Sequence, residues 1–253
     1  MFRKSNESNR DVATSEELLV IVDRAVNPYL VMFHDPSSYR AEQVRSLRNK
    51  LIAMNPDGEA KTLVVTSAMT AEGKSVVAIN RALAFAELER QSVLLVDSDL
   101  RNPSVEDYLH LNPHPGFGDV LLERVSIRDA IRSSGVRNLS VIGAGTRLAA
   151  PSELLTTSRI DAIMSRLKED YRYVIFDTPP VLPATDASVL AARADGTLVT
   201  VRLERSTRAM TRDAIRNLQD LGANVLGAFV TEVRGRDPES DPRFSYRGAE
   251  EEF

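Results

Sequence analysis

Residues 62–89 read TLVVTSAMTAEGKSVVAINRALAFAELE, and this stretch decides the fold. It starts with a short apolar run, continues through a loop that contains Gly73, Lys74 and Ser75, and ends in a run with the composition of a helix. A strand, a loop and a helix in this order form the context in which a phosphate-binding loop occurs. The stretch therefore predicts a site where backbone N–H groups at a helix N-terminus face phosphate groups.

The residues at the end of this loop have the chemistry that a bound nucleotide requires. Gly73 permits close approach of the backbone, Lys74 is a point charge for the β- and γ-phosphate oxygens, and the Ser75 hydroxyl suits Mg²⁺. The general pattern has glycine five positions before Gly73, where this chain has Ala68. For this motif taken alone, the alternative is a helix N-terminus that merely carries a lysine.

Four further apolar runs alternate with helical stretches: SVLLVD at 92–97, YVIFD at 173–177, GTLVTV at 196–201 and NVLGAFV at 224–230. They are rich in Val, Ile and Leu and lack polar alternation, which is typical of parallel strands buried on both faces. The pattern predicts an α/β P-loop NTPase fold with a mostly parallel central sheet and helices on both faces. For residues 102–157, which are rich in Pro and Gly, we expect short helices and loops.

Two of these runs end in aspartates. Asp97 and Asp99 lie two apart at the end of one run, and Asp177 ends another. Ligands of open α/β sheets bind at the carboxyl ends of the strands, and side chains two apart on a strand point to the same side. Carboxylates at this edge suit Mg²⁺, and one of them could accept a hydroxyl proton. The alternative for Asp97 and Asp99 is a pair of loop-capping aspartates.

Composition and charge exclude several classes of function. The 253 residues are 43% hydrophobic, which is enough for a sizeable core, and they include no cysteine. Disulfides, cysteine-ligated zinc, iron–sulfur clusters and thiol catalysis are therefore excluded. The net charge of −4 gives no field that attracts nucleic acid. No apolar run approaches the roughly 20 residues that span a bilayer.

The chain divides into three parts by composition. We expect residues 1–36 to be an N-terminal extension, 37–233 to form the P-loop domain, and 234–253 to be a flexible tail. Within the domain, AEQVRSLRNKLIAM at 41–54 predicts an amphipathic helix. Its apolar face would consist of Val44, Leu47, Leu51 and Met54.

The motifs resemble those of the bacterial tyrosine kinases of capsule and exopolysaccharide synthesis, in the MinD/ParA-like branch of P-loop proteins. TSAMTAEGKS (66–75) is similar to the Walker A motif of that family, LLVDSDLRNPSV (94–105) to its Walker A′ motif, and VIFDTPPVLPATDA (174–187) to its Walker B motif. APSELL (150–155) is similar to its NPxELL segment. The resemblance covers about residues 30–233 and implies an ATP-dependent protein-tyrosine autokinase.

The resemblance also implies roles for individual residues, with Asp97 as the base or a magnesium ligand. The residues implied as catalytic are Lys74, Asp97 and Asp99. Those implied as ligands of Mg²⁺ are Ser75, Asp97 and Asp177. Those implied as contacts of ATP are Thr70, Ala71, Glu72, Gly73, Lys74, Ser75, Val76 and Arg101.

Four positions differ from the motifs of the kinase family or of its MinD and ParA relatives. The family has Pro-Gly before Glu-Gly-Lys, where this chain has Thr70 and Ala71, and we expect Ala71 to stiffen the loop. MinD and ParA proteins carry a signature lysine where this chain has Met69, which favours the kinase branch. The last apolar strand has Thr231 where the family has an Asn near the adenine.

A charged stripe lies on the predicted helix at 41–54. Glu42, Arg45 and Arg48 are three apart, so they share a face of the helix. They match the ExxRxxR motif of the family, which implies ring-like self-association. The alternative is a solvated helix face.

A second stripe is basic and consists of Arg205, Arg208, Arg212 and Arg216, which recur at three and four residues. Like charges on one helical face repel one another, so we hypothesise that they bind an acidic patch on a neighbouring copy or on the cytoplasmic tail of a membrane partner. The alternative is a solvated face on which the arginine stems cover apolar surface.

The tail contains one tyrosine, Tyr246, in RFSYRGAEEEF (243–253). Active members of the family usually end in a cluster of tyrosines that neighbouring copies phosphorylate. A mobile tail can reach a neighbouring active site, so Tyr246 is the predicted autophosphorylation site. An incidental tail tyrosine is the alternative.

The favoured interpretation is a tyrosine autokinase that uses ATP and Mg²⁺ and regulates exopolysaccharide or capsule polymerisation or export. The implied partners are a separate transmembrane activator of the polysaccharide co-polymerase type and other copies of the chain, and not nucleic acid. We expect a cytoplasmic protein that its activator recruits to the inner face of the cell membrane. The alternatives are a catalytically inactive ATP-binding regulator, a MinD/ParA-like ATPase and a structural scaffold.

Overall fold

The computed structural model describes residues 26–89, 91–112 and 114–232. A seven-stranded sheet forms the centre of this part of the protein. The strands are β1 (Lys61–Ser67), β2 (Val93–Asp97), β3 (Arg132–Ser133), β4 (Leu139–Ile142), β5 (Tyr173–Asp177), β6 (Gly196–Arg202) and β7 (Val225–Thr231). Their order across the sheet is β3-β4-β2-β5-β1-β6-β7. Only the β3–β4 pair is antiparallel among the described pairs, which confirms the prediction of a mostly parallel sheet.

The helices cover both faces of this sheet. They are α1 (Val31–His34), α2 (Tyr39–Ala53), α3 (Lys74–Ala86), α4 (Val105–Tyr108), α5 (Phe117–Leu121), α6 (Ile127–Ala130), α7 (Pro151–Leu155), α8 (Ser158–Asp170), α9 (Asp186–Ala191) and α10 (Arg208–Asp220). Side chains of β1 alternate between the two layers: Leu63 and Val65 pack with α1–α4, and Val64 packs with α5–α10. No helix in the described part of the chain has the length and apolar character needed to cross a membrane.

Two short strands lie within the segment 102–157, where helices and loops alone were expected. Strand β4 pairs with β2 in register, with Val93 opposite Leu139 and Val96 opposite Ile142. Its four residues, LSVI, follow a loop directly and include a polar residue. The run was therefore too short to stand out from the loops around it, and it extends the sheet beyond β2.

The packed domain begins before the predicted boundary between residues 36 and 37. Val26, Leu30 and Met32 are buried and pack in the same cluster as α2 and α3. The side-chain amide of Asn80 on α3 accepts a hydrogen bond from the Met32 backbone at 3.1 Å and donates one to the Tyr29 carbonyl. Residues 26–36 thus belong to the folded domain. Residues 1–25 and the tail predicted at 234–253 lie outside the described residues.

Helix α2 confirms the predicted helix, but its buried face differs from the prediction. Val44 and Leu51 are buried as expected and Leu47 is half-buried. Met54 follows the last residue of the helix and is 59% exposed, so its predicted place on the apolar face was wrong. Arg48 is buried on this face instead.

Two arginines of the predicted α2 stripe form ion pairs within the chain. Glu87, just after the end of α3, accepts from Arg45 at 2.6 Å and from Arg48 at 2.9 Å. Arg48 also donates to the Ala84 carbonyl at 2.9 Å, and its side chain is only 10% exposed. Cations at a helix C-terminus interact favourably with the helix dipole. The two arginines therefore hold α2 against the end of α3, and the more exposed Glu42 is bonded to Arg45.

The predicted basic stripe falls on α10 with one exception. Thr207 caps the helix by accepting a hydrogen bond from the Met210 backbone, so Arg205 lies in the preceding turn and not on the helical face. Arg208, Arg212 and Arg216 are exposed and four residues apart on the helix. The helical stripe thus has three members, and its binding partner stays a prediction.

The Glu87 contacts predict a pH-dependent contribution to stability. Burial raises the pKa of Glu87, but the bonds and charges of Arg45 and Arg48 lower it overall, below the ordinary value of 4.5. The contribution is therefore present above pH 4.5 and is lost as the pH falls through the lowered pKa. At pH 7, we expect Glu87→Gln to reduce the free energy of unfolding by about 1–2 kcal/mol, because nearly buried Arg48 loses its charged acceptor.

Urea unfolding at pH 7 and at about pH 3 tests this prediction, and the difference between the native chain and Glu87→Gln should shrink at the lower pH. Glu89→Gln, at an exposed position on the same turn, is the matched control. An equal loss of stability at both pH values would contradict the role of the ion pairs.

Candidate active site

The carboxyl ends of three adjacent strands bring the predicted site residues to one edge of the sheet. Strand β5 lies between β2 and β1, and Asp177 of β5 is the register partner of both Asp97 on β2 and Val65 on β1. The loop that contains Lys74 continues from the end of β1. Lys74 and the three aspartates therefore meet at the edge where open α/β sheets bind ligands.

The loop between β1 and α3 has two residues in the left-handed region of backbone conformation. Gly73 has φ +87° and precedes the first residue of α3, and no atom lies within 4 Å of the place where its Cβ would be. Ala71 has φ +61°. Alternation of right- and left-handed residues directs successive N–H groups into one concavity, which favours anions. Thr70 and Ala71 are exposed, so this concavity is open to solvent.

Ala71 is strained in this conformation. A residue with a Cβ in the left-handed region is less stable by roughly 1–2 kcal/mol than in the right-handed region. Glycine at this position would avoid the strain. Because Ala71 is strained, the loop keeps its shape only if neighbouring groups hold it.

The ammonium group of Lys74 is directed at Asp99. Lys74 Nζ lies 2.8 Å from Asp99 Oδ2 and 3.4 Å from the Ser75 hydroxyl, and the lysine side chain is only 12% exposed. Burial lowers the pKa of Lys74, but the negative charges of Asp177 and Asp99 outweigh it and raise the pKa to about 12. Lys74 is therefore fully charged at neutral pH.

Asp97 is fully buried and serves as a cap for the following loop. Its Oδ2 accepts hydrogen bonds from the backbone of Ser104 at 2.9 Å and Val105 at 3.0 Å, and its Oδ1 accepts from the backbone of Asp99 at 3.1 Å. Asp97 therefore caps this loop, as the alternative interpretation of the sequence proposed. Burial and the nearby charge of Asp177 raise the pKa of Asp97, against these hydrogen bonds. Its role as a base or magnesium ligand stays a prediction.

Asp177 is the one carboxylate of the site that lacks partners. It is fully buried, and neither of its oxygens has a hydrogen-bond partner among the described residues. Burial raises the pKa of Asp177, whereas the charge of Lys74 and the nearby Ser75 hydroxyl lower it. The Ser75 hydroxyl does not form a hydrogen bond of ordinary geometry with Asp177. A buried polar group without a partner requires an explanation, and a bound ion is one.

The donor set fits magnesium that is held together with phosphate. No group of three or more His, Cys, Asp or Glu residues in the described ranges is arranged to hold a metal by itself. Mg²⁺ in nucleotide sites, however, takes only one or two protein ligands and completes its shell with phosphate oxygens and water. The Asp177 carboxylate and the adjacent Ser75 hydroxyl are the groups that suit this requirement.

Comparisons with known proteins agree with this geometry. A family model described as AAA domain matches residues 60–222. The tyrosine-protein kinase YwqD of Bacillus subtilis is 30% identical over 88% of this chain and 93% of its own length. The chain belongs to the bacterial tyrosine-protein kinase family. The putative tyrosine-protein kinase CapB of Staphylococcus aureus is also 30% identical, over 79% of this chain and 88% of its own.

The fold agrees with a solved kinase domain of the same family. The kinase domain of the Escherichia coli tyrosine kinase ETK superposes with a TM-score of 0.78 at 27% identity, over 85% of this chain and 84% of that domain. The α/β P-loop fold predicted from the motifs is thereby confirmed.

Arg101 lies in the loop after β2, whereas the other predicted nucleotide contacts lie between β1 and the first turn of α3. Its Nε lies 2.7 Å from Oδ2 of Asp186, which is fully buried at the start of α9, and its Nη1 donates to the Ala149 carbonyl at 3.0 Å. Arg101 thus links the loop after β2 to α9 and to the segment before α7. The guanidinium is engaged in this structural pair, and its contact with a nucleotide stays a prediction.

Three residues outside the motifs contact the phosphate loop and were not predicted. The Ser206 hydroxyl donates to Glu72 at 2.6 Å, Arg202 donates to the Ala71 carbonyl at 3.2 Å, and the Thr231 hydroxyl lies 3.5 Å from the Glu72 carbonyl. They come from the ends of β6 and β7 and from the turn before α10. Because they lie more than 120 residues from the loop in sequence, local patterns carry no signal for the contacts.

The strain at Ala71 predicts that glycine at this position stabilises the ligand-free protein. Ala71→Gly removes roughly 1–2 kcal/mol of backbone strain, and the greater freedom of glycine in the unfolded chain offsets about half of it. We expect the free energy of unfolding in urea to rise by up to about 1 kcal/mol.

Ala162→Gly is the matched control, because Ala162 is exposed inside the regular helix α8. That change should lower the free energy of unfolding by about 1 kcal/mol. If both substitutions destabilise the protein equally, Ala71 is not strained.

Proposed function

We propose that this protein is an ATP-dependent protein-tyrosine autokinase. The observation that carries the proposal is that a charged lysine and a buried carboxylate without a hydrogen-bond partner among the described residues lie at the same edge of the sheet. Lys74 points to Asp99, and Asp177 has no hydrogen-bond partner among the described residues. In a chain of the tyrosine-protein kinase family, this combination suits a triphosphate and its metal.

The residues of the phosphate loop would bind and orient the nucleotide. Backbone N–H groups around Ala71 and Gly73 would face the phosphates, and the Lys74 ammonium would neutralise charge on the transferred group. Ser75 and Asp177 would hold Mg²⁺. The metal, when bound, supplies further neutralisation of charge on the β- and γ-phosphate oxygens.

Asp97 and Asp99 would position the other reacting groups. Asp99 accepts from the Asn102 backbone at 2.9 Å and pairs with Lys74, so it fixes the direction of the ammonium group. Three backbone hydrogen bonds hold Asp97 beside Asp177. In this proposal, Asp97 orients the tyrosine hydroxyl, which must lie close to the transferred phosphoryl group.

The proposed acceptor is Tyr246 on a neighbouring copy, and it lies outside the described residues. Transfer between copies requires self-association, for which we propose the stripe of Glu42, Arg45 and Arg48. Since Arg45 and Arg48 are bonded to Glu87 within the chain, a contact between copies would have to share or replace these bonds.

The proposed cellular role is control of exopolysaccharide or capsule polymerisation or export. The proposed partner is a transmembrane activator of the polysaccharide co-polymerase type, which would recruit the protein to the inner face of the membrane. The three exposed arginines of α10 offer a surface for an acidic segment of such a partner.

Incubation with ATP and Mg²⁺ followed by a phosphotyrosine immunoblot tests the kinase activity. We expect a signal from the native chain, a loss of at least about 100-fold in Lys74→Met because charge neutralisation is lost, and no signal in Tyr246→Phe. Tyr29→Phe, at an exposed tyrosine far from the tail in sequence, is the matched control and should retain the signal.

The outcomes separate the proposed function from its alternatives. Phosphate release without phosphotyrosine would indicate an ATPase, and nucleotide binding without either product would indicate a regulator. Because the activator could be required, the assay includes a parallel sample with the cytoplasmic tail of the candidate membrane partner.

Magnesium binding at Asp177 predicts a second result. A ligand at 100 times its Kd stabilises the folded state by about 2.7 kcal/mol, so ATP with Mg²⁺ should raise the Tm of the native chain by several degrees. In Asp177→Asn, we expect the part of this rise that depends on Mg²⁺ to disappear, because the amide does not replace the carboxylate ligand.

Thermal unfolding with ATP and either Mg²⁺ or EDTA measures this difference. Asp213→Asn, at a half-exposed position on α10, is the control. A Mg²⁺-dependent rise that persists in Asp177→Asn would place the metal elsewhere.

A further inference from the structure

The side chain of Glu72 is buried in a loop whose neighbouring residues are exposed. Glu72 is 1% exposed, whereas Thr70 and Ala71 before it are open to solvent. Its Oε2 accepts a hydrogen bond from the Met69 backbone at 3.2 Å, and its Oε1 accepts from the Ser206 hydroxyl at 2.6 Å. The carboxylate therefore connects the start of the phosphate loop to the turn that precedes α10.

Arg202 and Ser206 form a second connection to the same loop. The Ser206 hydroxyl oxygen accepts from the Arg202 backbone at 2.9 Å, which fixes the turn between β6 and α10. The guanidinium of Arg202 donates to the Ala71 carbonyl at 3.2 Å and to the Glu232 carboxylate at 3.3 Å. The strained residue Ala71 and its neighbour Glu72 are thus both held by the end of β6 and the turn after it.

These contacts explain how an alanine keeps a left-handed conformation. Backbone strain persists only where the surrounding structure fixes the residue. If the contacts from Arg202 and Ser206 were lost, Ala71 would relax toward the right-handed region. The N–H groups on either side would then rotate out of the concavity that favours phosphate.

We propose that Arg202 and Ser206 are positioning residues that act through Ala71 and Glu72 to hold the phosphate loop in its nucleotide-binding conformation. This inference rests on the proposed nucleotide function of the loop. The three side chains of Glu72, Arg202 and Ser206 form the loop clamp. The clamp acts at the two positions that precede Gly73, and its members need not touch the nucleotide.

The clamp predicts a dependence of nucleotide affinity on the Ser206 hydroxyl. Loss of a hydrogen bond to a buried carboxylate should raise the Kd for the non-hydrolysable analogue AMP-PNP with Mg²⁺ roughly tenfold in Ser206→Ala. Ser206→Thr keeps the hydroxyl and should retain most of the affinity. Thr211→Ala removes a hydroxyl of α10 whose one hydrogen bond to a described residue goes to the Thr207 carbonyl, so it is the matched control.

A double-substitution cycle with Ala71→Gly separates positioning from general structural support. Glycine adopts the left-handed conformation without strain, so the loop no longer needs the clamp to keep its shape. In the Ala71→Gly background, we expect Ser206→Ala to raise the Kd by at most about threefold. A residue that merely supports the fold would show the same loss in both backgrounds.

Calorimetric titration gives the Kd values. Urea unfolding of the four proteins of the cycle, which are the native chain, Ser206→Ala, Ala71→Gly and the double variant, gives an independent readout. Ser206→Ala should destabilise the Ala71 chain more than the Ala71→Gly chain, whether or not a nucleotide binds. Equal effects in both backgrounds, or full affinity in Ser206→Ala, would overturn the clamp. A native chain that fails to bind AMP-PNP would overturn the proposed function, and the unfolding cycle would still decide the clamp.

Discussion

The ion pair between Lys74 and Asp99 is the interaction on which the candidate site depends. Three aspartates lie at the ends of the neighbouring strands β2 and β5. The Lys74 ammonium lies 2.8 Å from Asp99, and the charges of Asp177 and Asp97 also raise its pKa. Buried carboxylates repel one another and lose hydration, so a single ammonium group beside them offsets part of a large unfavourable energy. One positive charge among three carboxylates still leaves an excess of negative charge, which suits a divalent cation. The parallel sheet is what makes this arrangement possible, because parallel strands end at the same edge.

Much of the fold and the membership of the site followed from local patterns in the sequence. Runs such as TLVVTS and YVIFD mark strands because they are apolar without alternation, and the loop at 68–75 fixes the direction in which the chain leaves the sheet. Lys74 and the three aspartates meet as expected. Asp97 and Asp177 end strands, Asp99 lies two residues after β2, and Lys74 begins the helix that follows β1. Strand β4 escaped detection because its four residues carry too little apolar signal, and Met54 was misplaced because helix α2 ends one residue earlier than its periodicity suggests.

The features that escaped prediction arise from contacts between distant parts of the chain. The buried position of Arg48 depends on Glu87 and the Ala84 carbonyl, which α3 brings to it. The hydrogen bond from Ser206 to Glu72 depends on how the turn before α10 lies against the phosphate loop. Sequence periodicity describes one helix or strand at a time. Whether a charged side chain is buried depends on the polar and charged groups of the neighbouring elements. For this reason a charged stripe on a helix is a weak guide to which of its members are free to bind a partner.

Two features of the strand edge are unfavourable for the ligand-free protein. Asp177 carries a buried carboxylate without hydrogen-bond partners among the described residues, and Ala71 holds a left-handed conformation. Each lowers stability by an appreciable fraction of the marginal stability of a domain. Residues in such states usually persist at functional sites, where bound ligands recover part of the loss. A structural role explains neither feature, because an asparagine in the strand and a glycine in the loop would be easier to accommodate. The two positions therefore support the same conclusion from independent physics: this edge is built for a charged ligand.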